Sequence, residues 1–180
     1  TGPEDAEYVW IIDPLDGTSN FMRGIPHYCI SIACTKAGKV EHAVVLDPVR
    51  QEEFTASRGR GAQLNGRRLR VADRVDFKEC LIGTGTPFLG HSEDRMAWYL
   101  KGLSEIAGNS MRFRRAGAAA LDLAYVAAGR LAGPWEADPK PWDVAAGALL
   151  LRESGRLITG FNGSDDVLTG GAVLCGNPTY

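Results

Sequence analysis

Long apolar runs are missing from this chain: the longest, Val144–Leu151, has a glycine inside it and falls far short of the ~20 residues a membrane-spanning helix needs. An excess of either charge is missing too. The 20 Lys+Arg stand against 22 Asp+Glu for a net charge of −2, whereas a duplex-DNA binder usually carries a strongly basic domain. Histidine is scarce, and His27, His42 and His91 are scattered, which gives no zinc-ligand spacing. The four cysteines, Cys29, Cys34, Cys80 and Cys175, make no C-x-x-C pair, and three of them lie in apolar, strand-like runs. They read as buried, reduced thiols of a cytoplasmic protein. His27 with Cys29 and Cys34 is the one candidate metal group of that kind, and its spacing favours plain burial. Nothing at Thr1 reads as a signal peptide, and no repeat, low-complexity tract or charge block interrupts the chain.

What is present is an ordinary globular composition, 44% hydrophobic and 23% charged over 180 residues, enough for a core without a disulfide or metal staple. Residues 1–80 read as a sheet-rich half. Strand-like runs at Tyr8–Ile12, Tyr28–Thr35, Val40–Leu46 and Glu52–Ser57 lead to an Asn65-Gly66 turn signal. Cys80–Gly83 is another strand candidate. From there to residue 180 the pattern alternates helix and strand: Met96, Leu100, Leu103 and Ala107 fall at helical spacing, with Glu93 and Asp94 suited to the first turn. Met111–Arg114 reads as a strand, Ala118–Ala128 as a helix apolar almost all round, and Leu131–Trp135 as a strand. Pro141 introduces a helix over Trp142–Glu153, which stops before Gly155, and Leu157–Ile158 and Ala172–Cys175 read as the last strands. The two halves are expected to form one compact unit. Both ends read as cut rather than capped, so the chain is expected to be part of a longer one and, alone, a poor catalyst.

The chemistry concentrates in Trp10-Ile11-Ile12-Asp13-Pro14-Leu15-Asp16-Gly17-Thr18-Ser19-Asn20-Phe21. An apolar strand delivers Asp13 to its end, Pro14 stops the ladder, and Gly17 permits a tight turn that brings Asp13 and Asp16 to one point. Paired carboxylates repel unless a cation lies between them, and hard oxygen donors select Mg²⁺ or a relative. Thr18 and Ser19 are placed to cap a short helix whose free N–H groups would face an anion. A cation site beside an anion site suits phosphate chemistry. The plainer account is an Asx-turn followed by a helix cap, both aspartates serving only the backbone. Against it stands a second segment, Pro141-Trp142-Asp143-Val144-Ala145-Ala146-Gly147, which puts another acid in the first turn of an apolar helix. Glu136 precedes Asp143, and Gly117-Ala118-Ala119-Ala120 could bring bare backbone close to a ligand.

Asp13-Pro-Leu-Asp16-Gly-Thr18-x-Asn-Phe21 together with Trp142-Asp143-x-Ala-Ala-Gly147 resembles the paired signature of the inositol monophosphatase family, closest to its bacterial SuhB-like branch. The similarity extends through Gly59–Leu69, Phe113-Arg-Arg115 and Ala119–Ala128. The resemblance implies a layered αβαβα sandwich, antiparallel in its first sheet and mixed afterwards. It makes Asp13, Asp16, Asp143 and the Leu15 carbonyl ligands of two or three Mg²⁺ ions. Leu15, Asp16, Gly17 and Thr18 would then meet the phosphate, and Gly117, Ala118, Ala119, Glu136 and Asp143 the hydroxyls of a sugar or inositol. Thr18 and Asp16 would be catalytic: one metal and the Thr18 hydroxyl would prepare a water for direct hydrolysis of a small phosphorylated polyol or sugar, while a second metal on Asp13, Asp16 and Asp143 would stabilise the leaving alkoxide. Sensitivity to Li⁺, a homodimer and a cytoplasmic location belong to the same expectation, with neither a membrane nor duplex nucleic acid as partner.

One departure concerns a metal-binding Glu of an upstream Glu-Glu pair, which the family places before the position of Thr1; Glu4 and Glu7 stand too close to Asp13 to replace it. The family's two opening helices, and the helix that follows Asn177-Pro178, also lie outside the sequence. A haloacid-dehalogenase phosphatase is a rival with its D-x-D-x-T motif, but Asp13 and Asp16 stand three apart with Pro14 between. The rival from another class is a SuhB-like protein acting with the transcription machinery, in which phosphatase activity would be vestigial or secondary.

Overall fold

The computed structural model describes residues 6–70, 76–85, 93–133, 135–136, 139–169 and 171–177. Its first half is a six-stranded antiparallel sheet in which every strand pairs with its sequence neighbour: β1 (Tyr8–Asp16), β2 (Cys29–Lys36), β3 (Lys39–Asp47), β4 (Glu52–Ser57), β5 (Gly61–Leu64) and β6 (Arg67–Arg68). Alternation along these strands sets the two faces. Cys29, Ala33, Ala43, Val45, Phe54, Ala56 and Ala62 point into the core. Tyr8, Trp10 and Ile12 of edge strand β1 point the other way and are 50%, 65% and 51% exposed. The five-residue helix α1 (Thr18–Met22) leaves the end of β1.

Against the core face lie α3 (Ala119–Ala127) and α4 (Pro141–Glu153), the two apolar helices of the second half. They pack closely because Gly147 has no side chain: a Cβ there would stand 2.5 Å from the Leu123 Cβ. The sheet holds α4 at both ends. At its start the Ser31 hydroxyl of β2 donates to the Trp142 carbonyl at 3.4 Å, and at its end the Glu153 carboxylate accepts the Gly59 and Gly61 N–H groups at 2.8 Å each. Beyond the helices lie the parallel pair β7 (Leu81–Gly83) and β8 (Arg112–Arg114), joined by α2 (Glu93–Ala107). A three-stranded antiparallel sheet, ordered β10 (Leu157–Gly160), β11 (Val173–Gly176), β9 (Trp135–Glu136), completes the molecule. Helices between the large antiparallel sheet and the smaller parallel and antiparallel ones form the α/β sandwich expected. Among the described residues no helix is long and apolar enough to cross a membrane, and the four cysteines are buried and form no disulfide.

Most elements lie within a residue or two of their expected limits, and the exceptions have physical causes. Leu131–Gly133 is not strand, and Trp135 begins the two-residue strand β9. Gly133 takes φ +56°, the Leu131 N–H closes the end of α3 on the Tyr125 carbonyl, and the Ala132 N–H joins Leu81, so only Trp135–Glu136 is left to pair. β5 and β6 were not anticipated. They form a hairpin around Asn65 and Gly66, both at positive φ, 47° and 78°, the pair a tight two-residue hairpin turn requires. β1 runs past Pro14, although its pairing with β2 shifts register between Asp13 and Asp16. Neither Thr18 nor Ser19 caps α1: Gly17 is the N-cap, in the left-handed region, and Thr18 is already helical. Pro141 is the first residue of α4 rather than the one before it, where its missing N–H costs nothing. Glu4, His91 and Pro178 lie outside the described residues.

Gly147→Ala tests the helix contact. Alanine gains about 1 kcal/mol of helix propensity, but its Cβ meets a Cβ rather than a movable side-chain end, and overpacking costs about 1–3 kcal/mol. A net fall of roughly 2–6 °C in melting temperature is expected; a melting temperature at or above wild type would contradict the contact.

Candidate metal and phosphate site

Three carboxylates from two distant segments meet at one end of the large sheet: ligand atoms of Asp13, Asp16 and Asp143 lie within 4.8 Å of one another. Each is held by a main-chain N–H. Asp13 Oδ1 accepts the Leu15 N–H at 3.0 Å, an Asx-turn, and Asp143 Oδ2 accepts the Lys140 N–H at 2.7 Å in the first turn of α4. Asp16 Oδ2 accepts the Ala120 N–H at 2.8 Å and lies 3.8 Å from the Cys29 thiol. The bland account of these aspartates as backbone partners is therefore true of one oxygen on each. It is also what aims the carboxylates: α3 has Ala118 at its N-cap and no side-chain cap of its own, so Asp16 supplies one from across the chain. The register adds a second tie, because Asp13 pairs with Ser31, whose hydroxyl reaches Trp142 beside Asp143.

Around this point the turn residues take up their places. Gly17 has φ +87°, and a Cβ on it would lie 2.9 Å from the His27 carbonyl oxygen, so the chain can fold this tightly only with glycine. The exposed Thr18 turns its hydroxyl back to donate to the Leu15 carbonyl at 2.9 Å. Gly117, φ +89°, and Ala119 are partly exposed where the chain enters α3, whereas Ala118 is buried at 1%. Glu136 comes from β9, and its carboxylate sits over Gly85, where any Cβ would overlap it. Glu7 takes no part: it pairs with Lys36 at 3.2 Å on the surface. His27 and Cys29 bring no further ligand cluster; the three aspartates form the one such group among the described residues.

The electrostatics are those of acids crowded without counter-ions. Burial raises the Asp16 carboxyl to about 6, with Asp143 and Asp13 adding to it against the Ala120 hydrogen bond. Burial likewise raises Glu136 to about 7, opposed by Arg115 and reinforced by Asp143 and Asp16. Asp143 is raised, again chiefly by burial. Residue spacing did not reveal Asp122, which is 2% exposed on α3 with an Oδ1 that has no hydrogen-bond partner. Burial, then Glu136 and Asp16, push its carboxyl far above the usual range. The available signal was an acid inside an otherwise apolar helix. Arg115 opposes the rise at Asp122 and Glu136; Asn20, which the first motif contained without marking, and Cys29, which lay outside both motifs, are further neighbours.

Hard oxygens converging at this distance fit Mg²⁺, and the raised carboxyls supply a test. A carboxyl that binds its proton more tightly folded than unfolded favours the folded state below the unfolded value, near 4, and that contribution is lost as pH rises through about 6–7. For Asp16 alone this is about 3 kcal/mol. Metal-free protein should therefore lose melting temperature between pH 5 and pH 8, and millimolar Mg²⁺ should restore more of it at pH 8 than at pH 5. Equal stabilisation by Mg²⁺ at both pH values would contradict a cation held by these acids.

The family model described as "Inositol monophosphatase family" matches residues 2–180. The Nus factor SuhB of Pseudomonas aeruginosa is 56% identical over 174 residues, 97% of this chain and 64% of its own length. An inositol-1-monophosphatase of Rhizobium meliloti is 49% identical over 173 residues, 96% and 64% of the two chains. The chain thus spans just under two thirds of the length of these curated relatives. Among solved structures, the extragenic suppressor protein SuhB of Bartonella henselae superposes with a TM-score of 0.91 at 43% identity, over 97% of this chain and 67% of that one. An inositol monophosphatase/NADP phosphatase complexed with Mg²⁺ and phosphate does so with a TM-score of 0.84 at 27% identity, over 98% and 64%. A family model matched nearly end to end, and relatives about half identical along the same stretch, carry one conclusion: the chain belongs to the inositol monophosphatase family.

Proposed function

We propose that the protein is a Mg²⁺-dependent phosphomonoesterase that hydrolyses inositol monophosphate, or a related small polyol or sugar phosphate, by direct attack of water. The observation that carries this reading is the convergence of Asp13, Asp16 and Asp143 within 4.8 Å beside the tight Gly17 turn. Bound among those carboxylates and the Leu15 carbonyl, two or three Mg²⁺ ions would supply Lewis acidity and a water of lowered pKa. The chain's own groups do the rest. Ala120, Leu15 and Lys140 N–H groups hold the three acids in place. Thr18 has its hydroxyl hydrogen committed to Leu15, which leaves its oxygen lone pairs to accept from, and so orient, the attacking water. Asp16 stands beside it as the second catalytic group. Gly17 and Thr18 receive the phosphate, and Gly117, Ala118, Ala119, Glu136 and Asp143 face the hydroxyls, a carboxylate being suited to accept from adjacent OH groups. Ala118, being buried, acts by shaping the α3 entry.

Buried cysteines outside any disulfide suit a reducing, cytoplasmic setting, and a homodimer is part of the same reading. A second reading, a binding role in the transcription machinery, is favoured by the 56% identity to a Nus factor. Three converging carboxylates argue for retained catalysis, because a binding scaffold has no physical need to hold mutually repelling acids together.

Asp143→Asn keeps size and removes a charge. It should weaken Mg²⁺ binding and lower kcat of the full chain by roughly 10²-fold or more; steady-state phosphate release within twofold of wild type at saturating Mg²⁺ would remove Asp143 from the site. Millimolar Li⁺ should inhibit turnover at limiting Mg²⁺, and unchanged turnover would contradict the proposed metal arrangement. A transcription-only role predicts capture of elongation factors together with no phosphate release.

A further inference from the structure

Gly17 and Gly117, both assigned above to the substrate, take the same left-handed backbone, φ +87° and +89°, and one side chain stands between them. Asn20 of α1 is only 9% exposed. Its Nδ2 donates to two main-chain carbonyls, His27 at 2.8 Å and Ala116 at 2.9 Å. The His27 oxygen is the atom against which Gly17 packs, 2.9 Å from the place of a Cβ. Ala116 precedes Gly117, whose own Cβ position is 3.1 Å from Asn20 Nδ2. One carboxamide therefore spans from the wall of the phosphate turn to the loop that enters α3, across 96 residues of sequence.

We propose that Asn20 is a positioning residue for substrate choice: it sets the separation between the phosphate-holding turn and the hydroxyl-facing loop, and so favours monoesters whose hydroxyls reach that loop. The inference rests on the phosphatase reading. Both Nδ2 hydrogens are committed to main-chain carbonyls and the side chain is buried, so the action of Asn20 passes through Gly17 and Gly117. A polyol phosphate is gripped at both ends and feels their separation. An aryl phosphate without hydroxyls is gripped at the phosphate alone and does not. Alanine removes both bonds; serine can keep one, since a hydroxyl donates a single hydrogen.

The test compares wild type, Asn20→Ala and Asn20→Ser in the full chain at saturating Mg²⁺, with inositol monophosphate and phenyl phosphate as substrates. For Asn20→Ala, kcat/KM for inositol monophosphate should fall at least about fivefold more than for phenyl phosphate, the size expected from lost hydrogen bonds. The change should lie in KM, with Asn20→Ser between alanine and wild type. Equal losses on both esters, or none, would overturn the proposal by showing a purely structural residue or an idle one. If the alanine variant does not fold, the serine variant decides by the same ratio. A wild-type protein inert toward both esters would refute the phosphatase reading itself, a result visible without any variant.

Discussion

The hydrogen bond from the Ala120 N–H to the Asp16 carboxylate, 2.8 Å long and spanning 104 residues, is the constraint on which the rest of the site depends. It joins the end of the large sheet to the start of a buried helix that has no capping side chain of its own. Both partners gain: the helix obtains an acceptor for one of its free N–H groups, and the carboxylate is fixed in one rotamer beside Asp13 and Asp143. The site is thus built by the same contact that docks the second half of the chain onto the first.

The second constraint is charge. Asp16, Asp122, Glu136 and Asp143 are all pushed upward, chiefly by burial, and Arg115 is the guanidinium that opposes the rise at Asp122 and Glu136. Acids assembled in this way disfavour one another's charged forms, so a cation bound among them would add to the stability of the fold. Asp122 is the extreme case: it is enclosed, one of its oxygens has no hydrogen-bond partner, and burial pushes its carboxyl well above the usual range.

Much of this was legible in the residues, and what was not has physical causes. Strand β4 matched its alternating pattern residue for residue, and α2 begins at the two acids that marked its first turn, because period and helix-dipole preference act locally. Leu131–Trp135 was misread because Gly133 turns a strand-like apolar run out of the extended region; its composition is that of a buried turn as much as of a strand. The Arg-rich β6 carries no alternation to read. The motif showed Asp13 and Asp16 as neighbours, and their meeting with Asp143 came from the resemblance; that Asp16 caps α3, or that Asn20 reaches Ala116, could not be read from any spacing. Those contacts are long-range, made by backbone atoms that leave no trace in residue type.

The central claim is that Asp13, Asp16 and Asp143 form a divalent-cation site. Anomalous diffraction from crystals of the full chain grown with Mn²⁺ in place of Mg²⁺ tests it most directly. The account predicts a strong peak about 2.0–2.3 Å from oxygens of these carboxylates, lost in crystals of Asp143→Asn. A well-ordered site with no peak there, or Mn²⁺ bound only elsewhere, would contradict it.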